Sequence, residues 1–470
     1  MAEICIHIFY QKTNEKMTNE GSLFSTNKIS TLQFTTIFIC FLMNMLDGMD
    51  VMVVSYAAPA IGKQWAISPQ AMGSVFSAGL LGMTLGTLFI APRADIVGRR
   101  TIILFSALLM GLTVFSTYLA QSVEQLLFFR FISGLGIGSM LASTATLTSE
   151  YAPVKTKDFW VSFVMSGYPI GAVLSGLVAA QIIPAYGWRT MFQIAGIVTL
   201  LTLPFIFFFL AESLDFLLKK QPAGALEKAN AILIKMNQAT LTELSPLSNF
   251  DVGLGMSDVG LSSHSDIRNP QSKIEKPSVT SLLIPERKAS TIRLWIALFM
   301  AFATLYFLTT WIPKLASSAG LSMELAIYAG TVFNLGAFMG IITQGYLSNH
   351  FGLKRTIFSF LAATAVLMVI FGFFKGSALV LVLFGLIGFG VQGGFVGLYA
   401  VAARLYPTEI RSTGVGFAMS AGRVGGIVGP LFGGLLIGAG LSMTANFMIF
   451  AIPTLLAGLA TLMIKSPGIR

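Results

Sequence analysis

Charge is scarce in this chain: Asp, Glu, Lys and Arg make up 11% of 470 residues, whereas 55% are hydrophobic. That leaves too little polar surface to cover a soluble globule of this size. Cysteine is nearly absent, represented by Cys5 and Cys40 alone, which excludes a disulfide framework and a thiolate metal cluster. Histidine is confined to His7, His264 and His350, all in tails or loops, so no histidine can carry protons inside an apolar run. No nucleophile–base constellation, phosphate-cradling loop or metal-ligand spacing occurs, which argues against an enzyme and leaves no expected cofactor or metal. Residues 1–28 carry charges of both signs and no apolar core before a small-residue cleavage site, so they do not read as a secretory leader. Met17 is open as an alternative start.

What abounds is apolar sequence. Runs of about 20 residues nearly free of charge, each long enough to cross a bilayer as a helix, recur over 33–61, 70–92, 101–120, 124–149, 158–183 and 189–211. Six more follow over 291–315, 324–347, 355–374, 377–403, 410–436 and 442–464. The expected fold is an all-α membrane protein with twelve transmembrane helices in two six-helix bundles, residues 33–211 and 291–464. The remainder is an N-terminal tail (1–32), a hydrophilic central loop (212–290) and a short C-terminal tail (465–470). Within that loop, 212–220 and 225–236 have apolar spacing suited to short surface helices. From 238 to 287 the chain turns rich in Ser, Asn, Pro and Gly and reads as a flexible linker.

The halves repeat at a fixed offset of 254 residues. Pro59 falls on Pro313, Gly82 on Gly336, Gly86 on Gly340, Gly98 on Gly352 and Arg100 on Lys354; Gly134, Gly136, Pro153, Lys157 and Gly171 fall on Gly388, Gly390, Pro407, Arg411 and Gly425. Apolar composition produces Leu-on-Leu coincidences, not ungapped matches of Gly, Pro and basic residues. Six helices separate equivalent positions, so both halves enter the membrane in the same direction, as in parallel-repeat transporters.

The net charge of +10 does not point to nucleic acid, because the basic residues sit between the apolar runs. Arg93, Arg99, Arg100, Lys155, Lys157, Lys354, Arg355, Arg404 and Arg411 lie on one side; Lys63, Arg189, Lys314 and Lys375 lie on the other. The positive-inside bias places the first side, both termini and the central loop in the cytoplasm of a bacterial-type inner membrane.

Against this background a few charges inside the runs stand out. Asp47 and Asp50 share one face of the first helix, where each carboxylate costs about 2.5–3.5 kcal/mol at a bilayer centre, so that face cannot look at lipid. Neighbouring acids in a low-dielectric site hold a proton more readily than either alone, which makes this pair the candidate for proton coupling. Arg130 lies about 10 Å from the outer end of the fourth helix; it either approaches Asp50 within the bundle or snorkels to the surface. Arg423 lies about 18 Å into the eleventh helix, near the midplane, where a guanidinium needs an anion. A substrate carboxylate, held in bidentate fashion, is its natural partner. Tyr56, Tyr168, Tyr306, Trp311, Phe333, Phe395 and Tyr399 are aromatic residues that can flank a planar ligand.

The loop after the second helix, Ala91 to Arg100, holds Asp95, Gly98, Arg99 and Arg100, and Gly345 to Arg355 repeats it in the second half. An acid, a glycine turn and a basic pair can latch neighbouring helix ends. This loop, present twice between six-helix repeats, resembles the major facilitator superfamily, as does Arg130-Phe-Ile-Ser-Gly134-Leu-Gly136-Ile-Gly138 in the fourth helix. Glu150 at the inner end of that helix reads either as a gating partner of second-half basic residues or as a solvated helix end. Glu409-Ile-Arg411 opens the eleventh helix.

Asp47-Gly-Met-Asp50, Ala57-Ala-Pro59, Glu150-Tyr-Ala-Pro153 and Tyr406-Pro-Thr-Glu409-Ile-Arg411-Ser-Thr-Gly414 together resemble the aromatic acid:H+ symporter family. The resemblance implies import of benzoate-, hydroxybenzoate- or muconate-type acids by proton symport and alternating access, in a monomer whose partners are a small carboxylate, protons and the bilayer. It also implies functional roles for Asp47, Asp50, Arg130, Glu150, Arg411 and Arg423. Two other readings stay open. Gly425 to Gly434 matches a drug/proton antiporter pattern by letter, although in the eleventh rather than the fifth helix. A transporter-like sensor would need an ordered module in the central loop.

Overall fold

The computed structural model describes residues 29–153, 156–244, 282–373, 377–406 and 410–465. Twelve helices among them are long and apolar enough to cross a membrane: α1 (Thr31–Trp65), α2 (Pro69–Val97), α3 (Arg99–Thr117), α4 (Val123–Tyr151), α5 (Phe159–Tyr186), α6 (Trp188–Phe209), α7 (Pro285–Ser318), α8 (Met323–Ser348), α9 (Leu353–Ile370), α10 (Leu379–Leu405), α11 (Thr413–Gly438) and α12 (Met443–Leu462). The even number of crossings returns residues 29 and 465 to one side, here called the terminal face.

Local chemistry explains the helix starts. Ser30, Ser68, Ser122, Ser322 and Ser442 each accept a hydrogen bond from the amide three residues on, satisfying a donor that the first turn leaves orphaned. At Ser30 the side chain of Gln33 closes a reciprocal capping box. Helix α7 begins at Pro285, six residues before the expected start, because Pro suits the first helical turn and Leu282 just ahead of it is buried. Two short surface helices, Leu214–Lys220 and Ala225–Lys235, form where apolar spacing predicted them. Residues 245–281, most of the expected linker, lie outside the described residues.

Repeat positions do the same work in both halves. Gly98 and Gly352 adopt φ +97° and +87° where the chain reverses between consecutive helices, a conformation that only glycine takes without strain. Gly82 and Gly134 face each other's helices, as do Gly336 and Gly388, and a Cβ at any of the four would overlap backbone atoms across the α2–α4 or α8–α10 contact. In the absence of a hydrophobic drive between helices in lipid, such close backbone approach supplies the packing.

The halves meet along repeat-related seams. Ser55 on α1 donates to the carbonyl oxygens of Thr309 and Thr310 on α7, both at 2.9 Å; Ser55 and Thr309 are 254 residues apart, so this contact joins equivalent positions. Ser77 on α2 donates to the Ile427 carbonyl on α11 at 2.7 Å, and Gly176 on α5 lies against Thr331 on α8. Phe76 and Trp311 meet edge to face at 5.1 Å, and Trp311 Nε1 donates to the Pro430 carbonyl. These contacts run from mid-depth to the face opposite the termini. On the terminal face, the hydrogen bonds and ion pairs found among the described residues stay within one half. Among the described residues, the hydrogen bonds that tie the two halves together are therefore gathered between mid-depth and the face opposite the termini.

Candidate functional site

Asp47 and Asp50 are 1% and 0% exposed on α1. Arg130 reaches them from α4: its Nη1 donates to Asp50 Oδ1 at 2.8 Å, with both side chains almost fully enclosed. Of the two readings the sequence left open for Arg130, approach to Asp50 is the one found. Gly79 of α2 lies alongside Arg130, where a Cβ would make ordinary contact with Nη2 at 3.5 Å. A Cβ on Gly48, between the two acids, would by contrast overlap the Tyr168 carbonyl oxygen of α5. The glycine of the acid-Gly-x-acid signature therefore lets α1 and α5 touch, a packing role that the sequence alone did not disclose.

Three polar atoms of this cluster, Asp47 Oδ1, Asp50 Oδ2 and Arg130 Nε, are buried with no hydrogen-bond partner among the described residues. Buried polar groups are nearly always satisfied, which sets this cluster apart from the apolar packing around it. Asp47 is within electrostatic range of Asp50, Arg130 and, across the central space, Arg423 of α11. Arg423 is half-buried and in turn interacts with Tyr306 of α7 and Tyr399 of α10.

Beside Arg423 the rings form a continuous wall. Phe302 stacks on Tyr306 at 5.9 Å, Phe395 meets Phe302 edge to face at 4.7 Å, and Tyr399 meets Phe395 the same way at 5.3 Å. Tyr399 remains 41% exposed inside the bundle and so borders open space. Tyr168 on α5 faces the acids from the other half, within electrostatic range of Asp47, Asp50 and Tyr306. Of the seven aromatic residues named from the sequence, Tyr306, Phe395 and Tyr399 share this wall and Tyr168 faces it. Phe302, which the sequence reading passed over, belongs to the same wall; its spacing of four from Tyr306 was the available signal. Tyr56 and Trp311 lie at the seam instead, against Gly330 and Phe76 of the opposite half and anchored within their own halves by donating to the Ala172 and Pro430 carbonyls, and Phe333 is packed in the core.

A second cluster occupies the terminal face of the first half. After the Gly98 turn, Arg99 at the start of α3 forms an ion pair with Glu150 at the end of α4 and donates to Ser213 Oγ at 2.5 Å. Ser213 donates to Glu150 Oε2 at 2.6 Å, and Glu212 Oε1 accepts from the amides of Arg100 and Ser213 at 3.1 and 2.9 Å. Arg100 donates to the Phe207 carbonyl and lies 5.6 Å over its ring. Asp95 contacts Arg99 at 3.4 Å with its side chain 70% exposed. This corrects the expectation for Glu150. Its side chain is 12% exposed and neutralised by Arg99 of its own half, neither solvated nor paired with a second-half cation. The Gly98 reversal places Arg99 against the α4 end. Glu409 lies outside the described residues, and Arg411 supplies a backbone position at the start of the eleventh helix. The Gly425–Gly434 pattern packs α11 against α7 and α2, with Gly425 on Phe299, Gly429 on Ala303 and Gly434 on Pro69.

Two like six-helix halves with a shared central polar site define a multi-pass membrane carrier, not an enzyme. The family model "Major Facilitator Superfamily" matches residues 40–344 and 294–469. The chain belongs to the Major Facilitator Superfamily. It is 30% identical over 450 residues to a 4-hydroxybenzoate transporter of Pseudomonas putida, with 95% of this chain and 96% of the relative covered. A 4-hydroxybenzoate transporter of Acinetobacter baylyi is 29% identical over 453 residues, covering 95% and 94%. The benzoate transport protein of the same organism is 29% identical, covering 93% and 91%. Among solved structures, a partially occluded inward-open form of the xylose transporter of E. coli superposes with a TM-score of 0.68 at 18% identity, covering 92% of this chain and 97% of that one. That likeness supports the fold.

Proposed function

We propose that this protein imports an aromatic or related organic acid of the benzoate, hydroxybenzoate or muconate type together with a proton. The reading takes it to act as a monomer in a bacterial-type inner membrane with both termini in the cytoplasm. The observation that carries it is the charge inventory of the central site. When ionised, Asp47 and Asp50 contribute two negative charges against the two positive ones of Arg130 and Arg423; Asp47 is within electrostatic range of the other three, and Arg130 pairs with Asp50. A carboxylate arriving at Arg423 leaves one surplus negative charge in a water-poor site, where an unbalanced charge is strongly disfavoured. One proton, taken by Asp47, restores neutrality.

The roles follow from position. Arg423 receives the substrate carboxylate through its fork of donors, with the Phe302–Tyr306–Phe395–Tyr399 wall along the ring, where offset and edge contacts favour a planar ligand. Arg130 holds Asp50 and leaves Asp47 to exchange the proton. The names of the relatives, which transport 4-hydroxybenzoate and benzoate, support an aromatic acid as the substrate. With the termini taken as cytoplasmic, the inter-half bonds gathered opposite them support an inward-facing state, and rocking of the halves about the Ser55–Thr309 contact exposes the site to the other side. Asp95, Gly98, Arg99, Arg100, Glu150, Glu409 and Arg411 then belong to the cytoplasmic gating apparatus.

The test is uptake of labelled benzoate and 4-hydroxybenzoate into proteoliposomes under an inward proton gradient, with unlabelled benzoate and the neutral benzamide as competitors. Gradient-dependent uptake blocked by benzoate and not by benzamide is expected. Equal competition by benzamide would remove Arg423 from carboxylate recognition.

A further inference from the structure

Lys314 is a cation near the outer end of α7 that the central site does not use. It lies four residues before the end of α7 at the face opposite the termini, half-buried, with its Nζ over Gly62 of α1, where a Cβ would sit only 3.0 Å from it. Among the described residues it forms no ion pair or hydrogen bond. So close to a helix end the long stem lets the ammonium reach the interface, and nothing in the packing around Gly62 requires a charge there. At the 254-residue offset its counterpart is Ala60. Lys314 therefore breaks the repeat, as Asp47, Asp50, Arg130 and Arg423 do.

Its neighbours show what it overlooks. Trp311, three residues earlier and so on the same helical face, is fully buried against Phe76 and Pro430. Thr309 and Thr310 receive Ser55 across the α1–α7 contact. Lys314 thus sits about 5 Å further out than the aromatic seal, on the side of α7 that faces the first half. When the halves part at this face, the ammonium group stands at the mouth of the passage leading past Trp311 to Arg423. A mouth carrying one sign of charge concentrates oppositely charged solutes and raises their encounter rate.

We infer that Lys314 is the first carboxylate contact on the outer face, a capture residue that draws the organic anion to the opening and hands it inward to Arg423. The inference rests on the proposed import of organic acids with the termini in the cytoplasm. It assigns Lys314 to capture from one side only, since in the inward-facing state the seal separates it from the central site.

The test is the initial rate of 4-hydroxybenzoate transport in right-side-out and inside-out vesicles carrying wild type, Lys314→Gln or Lys314→Arg. Lys314→Gln should raise the outer KM about tenfold, the low end of what a charged mouth contributes, and leave the maximal rate unchanged. It should also flatten the dependence of the outer KM on ionic strength, because that dependence reports long-range charge attraction. The inner KM should not move, and Lys314→Arg should behave as wild type. Wild-type uptake combined with an unchanged outer KM in Lys314→Gln would overturn this inference and leave the transport reading intact. So would a KM rise of equal size at both faces, or a fall in maximal rate alone, either of which marks a structural role. A wild type that does not transport the acid, while folded by size-exclusion chromatography, would overturn both.

Discussion

Breaking the Arg130–Asp50 pair should destabilise the protein more when one partner is removed than when both are. The two side chains meet at 2.8 Å and are 4% and 1% exposed, so neither charge can turn to water if the other is lost. Removing one partner of such a pair costs about 3–5 kcal/mol, because it strands a buried charge. Arg130→Gln and Asp50→Asn should each lose stability in that range. The double variant carries no stranded charge and should lose less than either single change, giving a coupling energy of several kcal/mol where independent sites give about 0.5 or less. Equilibrium unfolding in mixed detergent micelles, followed by circular dichroism, measures all four proteins. The double variant should recover the fold yet fail to accumulate substrate. Additive losses in the double variant would refute the argument, since they would mean that the two charges do not depend on each other.

Two further outcomes follow from the central site. Asp47→Asn removes the carboxylate proposed to exchange the proton while keeping its shape, so accumulation against a gradient should vanish and counterflow exchange of labelled for unlabelled acid should persist; normal accumulation would remove Asp47 from the proton role. Arg423→Lys keeps the charge but loses the two-pronged geometry, so KM for the acid should rise by about tenfold, equivalent to about 1.4 kcal/mol, while an unchanged KM would place the carboxylate elsewhere.

Much of the architecture was readable because lipid imposes it. Apolar length set the twelve spans, and the 254-residue offset gave two like halves before any contact was known. Gly98 and Gly352 show why that offset could be trusted: both positions need a positive φ, which few residues tolerate. The anomalous charges were legible for the opposite reason, since a carboxylate or guanidinium in an apolar run stands out against its surroundings. The network around Glu150 was hidden from the sequence. Its partners Arg99 and Ser213 come from distant positions in the same half, and nothing in local periodicity indicates which face of the molecule joins the halves. The aromatic wall was half-visible, because rings are so common here that only contact geometry separates Phe302 and Tyr306, beside Arg423, from Phe333 in the core.

In the proposed cycle one monocarboxylate travels with one proton, because the ionised site is neutral before and after both arrive. The decisive measurement is uptake of labelled benzoate into proteoliposomes, driven separately by a pH gradient and by a potassium diffusion potential. Accumulation is expected with the pH gradient, abolished by a protonophore, and none with the potential alone. Accumulation driven by the potential, or uptake indifferent to both, would contradict that cycle.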